Sequence, residues 1–190
     1  MAERRLEVLR TAARIFSLEG YRNASLQDVA DVLGIRRPAL YYYARSKEEL
    51  IDECGRIAYA QLQAAISEAN TEATGRARLE TFFRSYANII LDDFGRCFVL
   101  TNLREFSSSQ EEKTRQAQIE IGRAVQSMIK VGIADGSIKP CDPVLVGHAL
   151  FGAFNNLPVW YKPAAGRSLP EIVDNYLKIF GSGLHAEPGT

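Results

Sequence analysis

Three consecutive tyrosines, Tyr41, Tyr42 and Tyr43, follow Arg36, Arg37 and Pro38 and precede Arg45 and Lys47. Phenols among cations at this spacing can recognise a phosphodiester. The phenol OH donates to a phosphate oxygen, the ring covers a sugar or a thymine methyl, and guanidinium groups meet phosphates or base edges. Successive side chains on a helix point about 100° apart, so three in a row cannot all enter one core. One tyrosine is expected to brace a small domain as a half-buried ring, and some phenol must stand at the surface.

The flanking residues supply the elements that would hold these groups. Ser25, followed three residues later by Asp28, is an approximate capping box that uses Asp for Glu. Leu26, Val29, Ala30 and Leu33 then repeat at i, i+3, i+4 and i+7, the spacing of one helical face. Gly34 ends that helix as a residue tolerant of positive φ at C′. Arg37-Pro38 opens the next, because proline's fixed φ suits a first turn and its missing N–H has no partner there. The tyrosines are predicted to continue on that second helix. A capped helix, a glycine turn and a second short helix form a helix-turn-helix, the device that seats a helix in the major groove. Arg37, Pro38, Tyr41 and Gln27 are the candidates for base edges; Ser25, Tyr42, Tyr43 and Lys47 are the candidates for phosphates.

The 190-residue chain has zero formal charge, unevenly placed. Residues 1–47 hold nine cations (Arg4, Arg5, Arg10, Arg14, Arg22, Arg36, Arg37, Arg45, Lys47) against five acids (Glu3, Glu7, Glu19, Asp28, Asp31), so nine minus five gives +4 and the remainder carries −4. A positive end on a neutral protein suits local phosphate contact without general affinity for polyanions. The sequence begins on a helix without an apolar h-region, and no stretch has the apolar length of a membrane span. Cys54, Cys97 and Cys141 form no C-x-x-C pair and read as reduced thiols of a cytoplasmic protein. With His148 and His185 the only histidines, and no G-x-S-x-G, H-E-x-x-H or phosphate-binding glycine loop, no metal, cofactor or catalytic activity is expected.

These residues resemble the TetR family of bacterial transcriptional repressors. The family's signature has an Ala-rich first helix ending in Gly-Tyr, a Ser or Thr opening the second helix, an Ala-x-x-x-Gly-Val turn, and Leu-Tyr-x-His-Phe-x-x-Lys-x-x-Leu. This chain carries Ala12-Ala13, Phe16, Gly20-Tyr21, Ser25, Val29-Ala30, Gly34-Ile35, Leu40-Tyr41-Tyr42-Tyr43-Ala44 and Lys47-Glu48-Glu49-Leu50. It departs at three places. Arg36 stands where a capping Ser or Thr is usual, which leaves that helix start to its N–H groups and a DNA phosphate. Tyr43 stands for His and keeps an aromatic hydrogen-bonding group, and Ala44 stands for Phe.

The rest of the chain reads as helix. Ser46–Glu49 is a capping box opening a long helix to about residue 70. Further helices are expected over 77–94, where Gly95 breaks the run, then over 97–106 and, after the Ser107-Ser108-Ser109 loop, over 111–135. Two more should run from 143 to about 160, capped by Asp142, and from 169 to about 184, opened by the box Ser168–Glu171. The expected fold is all-α: a three-helix helix-turn-helix domain at 1–47 and a helical effector-binding and dimerisation domain at 48–190. A single reader covers few base pairs, so a two-fold homodimer on a palindromic double-stranded operator is expected. The resemblance implies that the last two helices pair in a four-helix bundle, through Val146, Leu150, Ala153, Leu157, Val173, Tyr176, Leu177 and Phe180, with Leu184 continuing that face. It also implies an effector cavity among the middle helices, for which Phe82, Phe83, Tyr86, Phe94, Phe98, Phe106, Phe151 and Trp160 are the aromatic candidates. Asn155-Asn156 to Trp160-Tyr161-Lys162-Pro163 is similar to a late-helix pattern of members that respond to acyl-CoA thioesters, with Arg96, Arg104 and Arg123 as candidate cations for the phosphates. The expectation is thus a repressor released by a small apolar effector, with an acyl-CoA as the candidate. The alternatives are an effector-free or nucleoid-type DNA-binding protein and, in another class, an enzyme fused to a DNA-binding module.

Overall fold

The computed structural model describes residues 2–102, 104, 106–163 and 166–183; among these, every regular element is a helix. They run α1 (Ala2–Glu19), α2 (Leu26–Val32), α3 (Arg37–Leu40), α4 (Lys47–Ala69), α5 (Gly75–Leu91), α6 (Asp93–Leu100), α7 (Ser108–Ala134), α8 (Pro143–Asn155), α9 (Leu157–Trp160) and α10 (Leu169–Ser182). The contacts divide the chain into two compact units, Met1–Gln63 with Ile89–Glu120, and Ala64–Asn88 with Ile121–Thr190. This packing division does not follow residue 47, because the start of α4 and all of α6 belong to the core beneath the reader.

In the first unit the apolar faces of α1, α2 and α4 converge on α6. Val8, Ala12, Phe16, Val29, Leu40, Leu50, Cys54, Phe94 and Cys97 are all buried in one cluster. Burying side chains such as Phe16 and Phe94 contributes roughly 1.5–3 kcal/mol each. Gly20 and Gly34 take positive φ, 84° and 64°, and reverse the chain after α1 and α2. On the flank of the core, Arg10 pairs with Asp92 at 2.7 Å and Arg14 with Asp93 at 3.2 Å, tying α1 to the start of α6.

In the second unit the aromatic residues form a solid core. Phe83 lies 4.7 Å from Phe154 between ring centroids, Tyr86 lies 5.3 Å from Phe151, and Phe154 lies 5.4 Å from Tyr176. Phe82 and Phe83 are fully buried, and the Tyr86 hydroxyl donates to Asn155 Oδ1. Behind them α5 meets α7 backbone to backbone, since a Cβ on Gly75 would lie 2.0 Å from Gly132 N. The Gly75 N–H donates to Asp135 Oδ2 at 2.7 Å, so a side chain caps the helix start.

Several boundaries differ from the sequence expectation. The break predicted at Gly95 falls instead at Asp92, and Gly95 lies inside α6. There the bare Cα permits the sharp joint, because a Cβ would sit 2.1 Å from the Ile89 carbonyl oxygen. Helix α7 starts three residues earlier than expected, since Ser107 and Gln110 form a reciprocal cap: Gln110 Oε1 accepts from Ser107 N–H and Oγ, and Ser107 Oγ accepts from Gln110 N–H. The helix expected to run to residue 160 stops at Asn155, because Pro158 has no N–H for the carbonyl four residues back, and a short α9 follows. Tyr41, Tyr42 and Tyr43 lie in the turn after α3, not on the helix, which closes at Leu40.

The expected dimer face is covered in part within the chain itself. Leu150, Leu157, Val173 and Leu177 are buried within the single chain, which leaves them little surface for a partner. Val146, Ala153 and Tyr176 are partly covered, and Phe180 is open to solvent. The apolar surface left on α8, α9 and α10 is a different set: Leu145 is 67% exposed, with Val159, Trp160 and Ile179 also open. Leu184 and His185 lie outside the described residues.

The joint at Gly95 generates a stability prediction. Gly95→Ala should lower the unfolding free energy in urea by about 1–3 kcal/mol, because the clash is with backbone that cannot swing aside. At Gly122, also inside a helix, an added Cβ meets nothing within 4 Å. Gly122→Ala should therefore be neutral or stabilising by up to about 1 kcal/mol. The same stability for both variants would contradict close packing at the joint.

Candidate nucleic-acid interface and cavity

The reader is held from its two ends. At the start of α2, Ser25 N–H and Oγ–H both donate to Asp28 Oδ2 at 2.7 Å, and Ser25 Oγ accepts from Asp28 N–H. The Ser25 hydroxyl and N–H hold Asp28 below the usual carboxylate range. Ser25, expected on a phosphate, thus has both donors engaged within the cap. Gln27 lies on the exposed side of α2 with its amide on Asp31 at 2.7 Å.

Before α3, Arg36 takes the N-cap position with extended backbone and no side-chain cap, as its residue type dictates. Arg37 and Pro38 are exposed on the first turn. Tyr42 is 91% exposed and Tyr41 47%, whereas Tyr43 is half-buried against the core with Leu33 and Ile35. One tyrosine therefore braces the fold and two project, although they do so from a turn.

Lys47 has a different place from the one expected. Its ammonium donates to the carbonyls of Tyr21 at 2.7 Å and Ala24 at 2.9 Å, with Arg22 O at 3.4 Å, and lies 4.4 Å from the Tyr21 ring centroid. An ammonium has three donors, so this cage engages them all. Lys47 fixes the turn between α1 and α2 and is not available to a phosphate in this arrangement.

The positive charge of the N-terminal end is narrowed by ion pairing. Arg4 pairs with Glu7, Arg5 with Glu53, Arg10 with Asp92 and Arg14 with Asp93. Arg36, Arg37 and Arg45 are exposed and make no ion pair among the described residues. Unbalanced cations thus gather around α3 and the two projecting phenols.

The first unit also holds a cavity of about 540 Å³ between α4, α6 and α7. That size suits a small organic molecule. Of the eight aromatic candidates only Phe98 and Phe106 line it. Phe82, Phe83, Tyr86 and Phe151 belong to the solid core of the second unit, Phe94 is buried under Arg10, and Trp160 is exposed beside Tyr161. The wall is more polar than an aromatic reading implies. Its cations are Arg56, 2.9 Å from Glu53, and Lys113, 3.5 Å from Asp52, and not Arg96, Arg104 or Arg123. Tyr59 donates its phenol proton to Glu120, whose carboxylate pushes that phenol's pKa up. Burial pushes the Cys97 thiol in the same wall to about 11, so it stays protonated near neutral pH. Sequence reasoning missed the polar wall because its residues lie on the open flanks of three amphipathic helices, where no period marks them. It missed Gln110 for want of reading Ser107-Ser-Ser-Gln110 as a capping box.

Comparison with known proteins agrees with this arrangement at both ends. The family description "Bacterial regulatory proteins, tetR family" matches residues 8–54, and "Tetracyclin repressor-like, C-terminal domain" matches residues 72–184, more than half of the chain. The chain belongs to the TetR family. Among relatives of this TetR protein, the HTH-type transcriptional repressor KstR2 of Mycolicibacterium smegmatis is 26% identical over 202 residues, covering 99% of this chain and 94% of that one. The ketosteroid transcriptional regulator KstR2 of Mycobacterium tuberculosis superposes with a TM-score of 0.86 at 25% identity, covering 97% and 96% of the two chains. AibR, solved with isovaleryl coenzyme A and operator DNA, shares the fold with a TM-score of 0.84 at 18% identity over 94% and 98%.

The contrast between Lys47 and Arg37 is measurable. Lys47→Ala should destabilise the fold by about 1–3 kcal/mol through its orphaned carbonyls. Arg37→Ala should leave unfolding within about 0.5 kcal/mol of the unsubstituted protein. Equal denaturant midpoints for the two variants would contradict the caging role of Lys47.

Proposed function

We propose that this TetR-family protein is a transcriptional repressor that binds a palindromic operator as a homodimer and is released by a small, largely apolar effector. The observation that carries the DNA reading is the convergence of exposed Arg36, Arg37, Arg45, Tyr41 and Tyr42 around α3, on a helix-turn-helix whose α1 arginines are paired with acids. Arg37, Pro38, Tyr41 and Gln27 are assigned to base edges, and Arg36, Tyr42 and Arg45 to phosphates. The repressor reading is supported by the name of the KstR2 relatives. Residues 1–47 act as the reading module and residues 48–190 as the effector-responsive and dimerising part, in the cytoplasm where the chromosome lies.

Dimerisation is assigned to the exposed apolar surface of α8, α9 and α10, around Leu145, Val159, Trp160, Ile179 and Phe180. The effector is assigned to the cavity beside Phe98 and Phe106. An acyl-CoA is the first candidate: AibR holds such a ligand on this fold, and Arg56 and Lys113 place cations at the cavity.

For the operator, affinity should fall with salt by roughly 0.9 log units per log salt for each phosphate neutralised. Arg45→Ala should weaken all sequences alike and flatten that slope. Arg37→Ala should relax discrimination at particular base pairs by about 1–3 kcal/mol. Equal loss on operator and random DNA in both variants would remove Arg37 from base reading.

For the dimer, Ile179→Asp should give a folded monomer in sedimentation, since it places a charge at an apolar contact between chains. Leu177→Asp should instead unfold the chain, because Leu177 is only 8% exposed without any partner. A folded monomer from Leu177→Asp would place the interface on the face of Leu150, Val173 and Leu177.

For the effector, the protein–operator complex should dissociate on titration with isovaleryl-CoA or longer acyl-CoA esters, and operator should weaken ester binding by the same factor. Release by free fatty acids or planar aromatics but no ester would overturn the acyl-CoA assignment. Release by nothing would favour a DNA-binding protein without an effector.

A further inference from the structure

The cavity and the reader lie in one compact unit, and of the cavity wall Phe106 reaches the turn that sets the reader while Gln110 reaches the start of α4. The Phe106 ring meets the Tyr21 ring edge-on, with centroids 5.2 Å apart, and Tyr21 packs in turn on Phe16 at 5.4 Å. Gln110 is buried, with its Nε2 on the Glu48 carbonyl at 3.4 Å and on Asp52 Oδ1 at 3.2 Å, at the first turn of α4 beside Lys47. Tyr21 is the residue whose ring and carbonyl both engage the Lys47 ammonium, and Ala24, the last carbonyl in that cage, immediately precedes the Ser25 cap of α2. Burial with Glu48 beside it pushes the Tyr21 phenol up to about 12, which keeps it neutral in this packed position.

We infer that an occupant of the cavity acts on the reader locally, by displacing Phe106 and Gln110 and so loosening the Tyr21–Lys47 cage that fixes the start of α2. This inference rests on the reading of the cavity as the effector site. It differs from a mechanism in which α4 swings the reader as a rigid lever, because the wall touches the cage directly and the change appears in each subunit. Phe106 and Gln110 are positioning residues: neither is among the groups assigned to DNA.

The test uses the full-length protein with no effector present. Ala117 lines the cavity on α7, and Ala117→Trp puts an indole into it as a fixed occupant. Hydrogen exchange of the amides from Leu26 to Leu33 should accelerate, and operator affinity should fall about tenfold, the factor that 1.4 kcal/mol of coupling carries. Phe106→Leu should give the same two changes by itself. Ala117→Trp added to Phe106→Leu should then contribute little more, since both act through one contact. Gln110→Leu serves as a second entry to the same contact should the tryptophan variant fold poorly, and Gln116→Ala, in the wall with its amide on Glu120, should leave exchange in α2 unchanged. Unaltered exchange in α2 for Phe106→Leu and Gln110→Leu, or full additivity of Ala117→Trp with Phe106→Leu, would overturn the inference. Failure of every acyl ester to release operator would instead count against the effector reading and leave these ligand-free results standing.

Discussion

The cage around the Lys47 ammonium is the constraint on which the reading surface depends. Three carbonyls from the turn between α1 and α2 point at one cation carried by the first residue of α4. Carbonyls converging in this way repel each other, and a charged donor at their focus turns that repulsion into attraction, worth about 1–3 kcal/mol in all. With the turn fixed, α2 leaves at a set angle, the Ser25–Asp28 box closes its first turn, and Gly34 hands the chain to α3. The exposure of Arg37, Tyr41 and Tyr42 follows from that sequence of constraints, since none of the three is packed by its own side chain.

Charge is arranged with the same economy. The arginines of α1 are matched to acids on α1, α4 and the α5–α6 joint, so they hold the core together and present little net field. Around α3, exposed Arg36, Arg37 and Arg45 form a local positive patch. A reader built this way approaches a polyanion through a small patch and leaves discrimination to contacts with base edges. The cavity follows a related rule: Arg56 and Lys113 are each matched to an acid, so an anionic ligand would have to exchange these partners on entry. Cys54 and Cys97 are held as thiols by burial, which makes them packing residues and not nucleophiles.

Much of this was legible in the sequence wherever a local device specified it. The Ser25 and Ser168 boxes, the Asp142 cap, the Gly34 turn and the Arg37-Pro38 helix start depend on neighbours within four residues, and each forms as expected. The uncapped Arg36 and the one half-buried tyrosine were readable for the same reason. The errors are tertiary. Gly95 reads as a helix breaker, yet its smallness is needed for a close approach inside α6. Lys47 reads as a phosphate ligand until the carbonyls from residues 21 to 24 fold back onto it. Eight aromatic residues read as one pocket, whereas packing divides them among two cores, a cavity wall and the surface. The apolar stripes of α8 and α10 were visible, but periodicity cannot tell a face buried in its own chain from one covered by a second copy.

The central claim is that the surface around α3 reads DNA while the cavity helices do not touch it. Amide chemical-shift mapping of the full-length protein, titrated with a palindromic operator duplex, tests this most directly. The account predicts the largest shifts at Gln27 and from Arg36 to Arg45, with smaller ones along α2. Shifts concentrated on α7 between Ser108 and Glu120, with the residues from Arg36 to Arg45 unmoved, would contradict it.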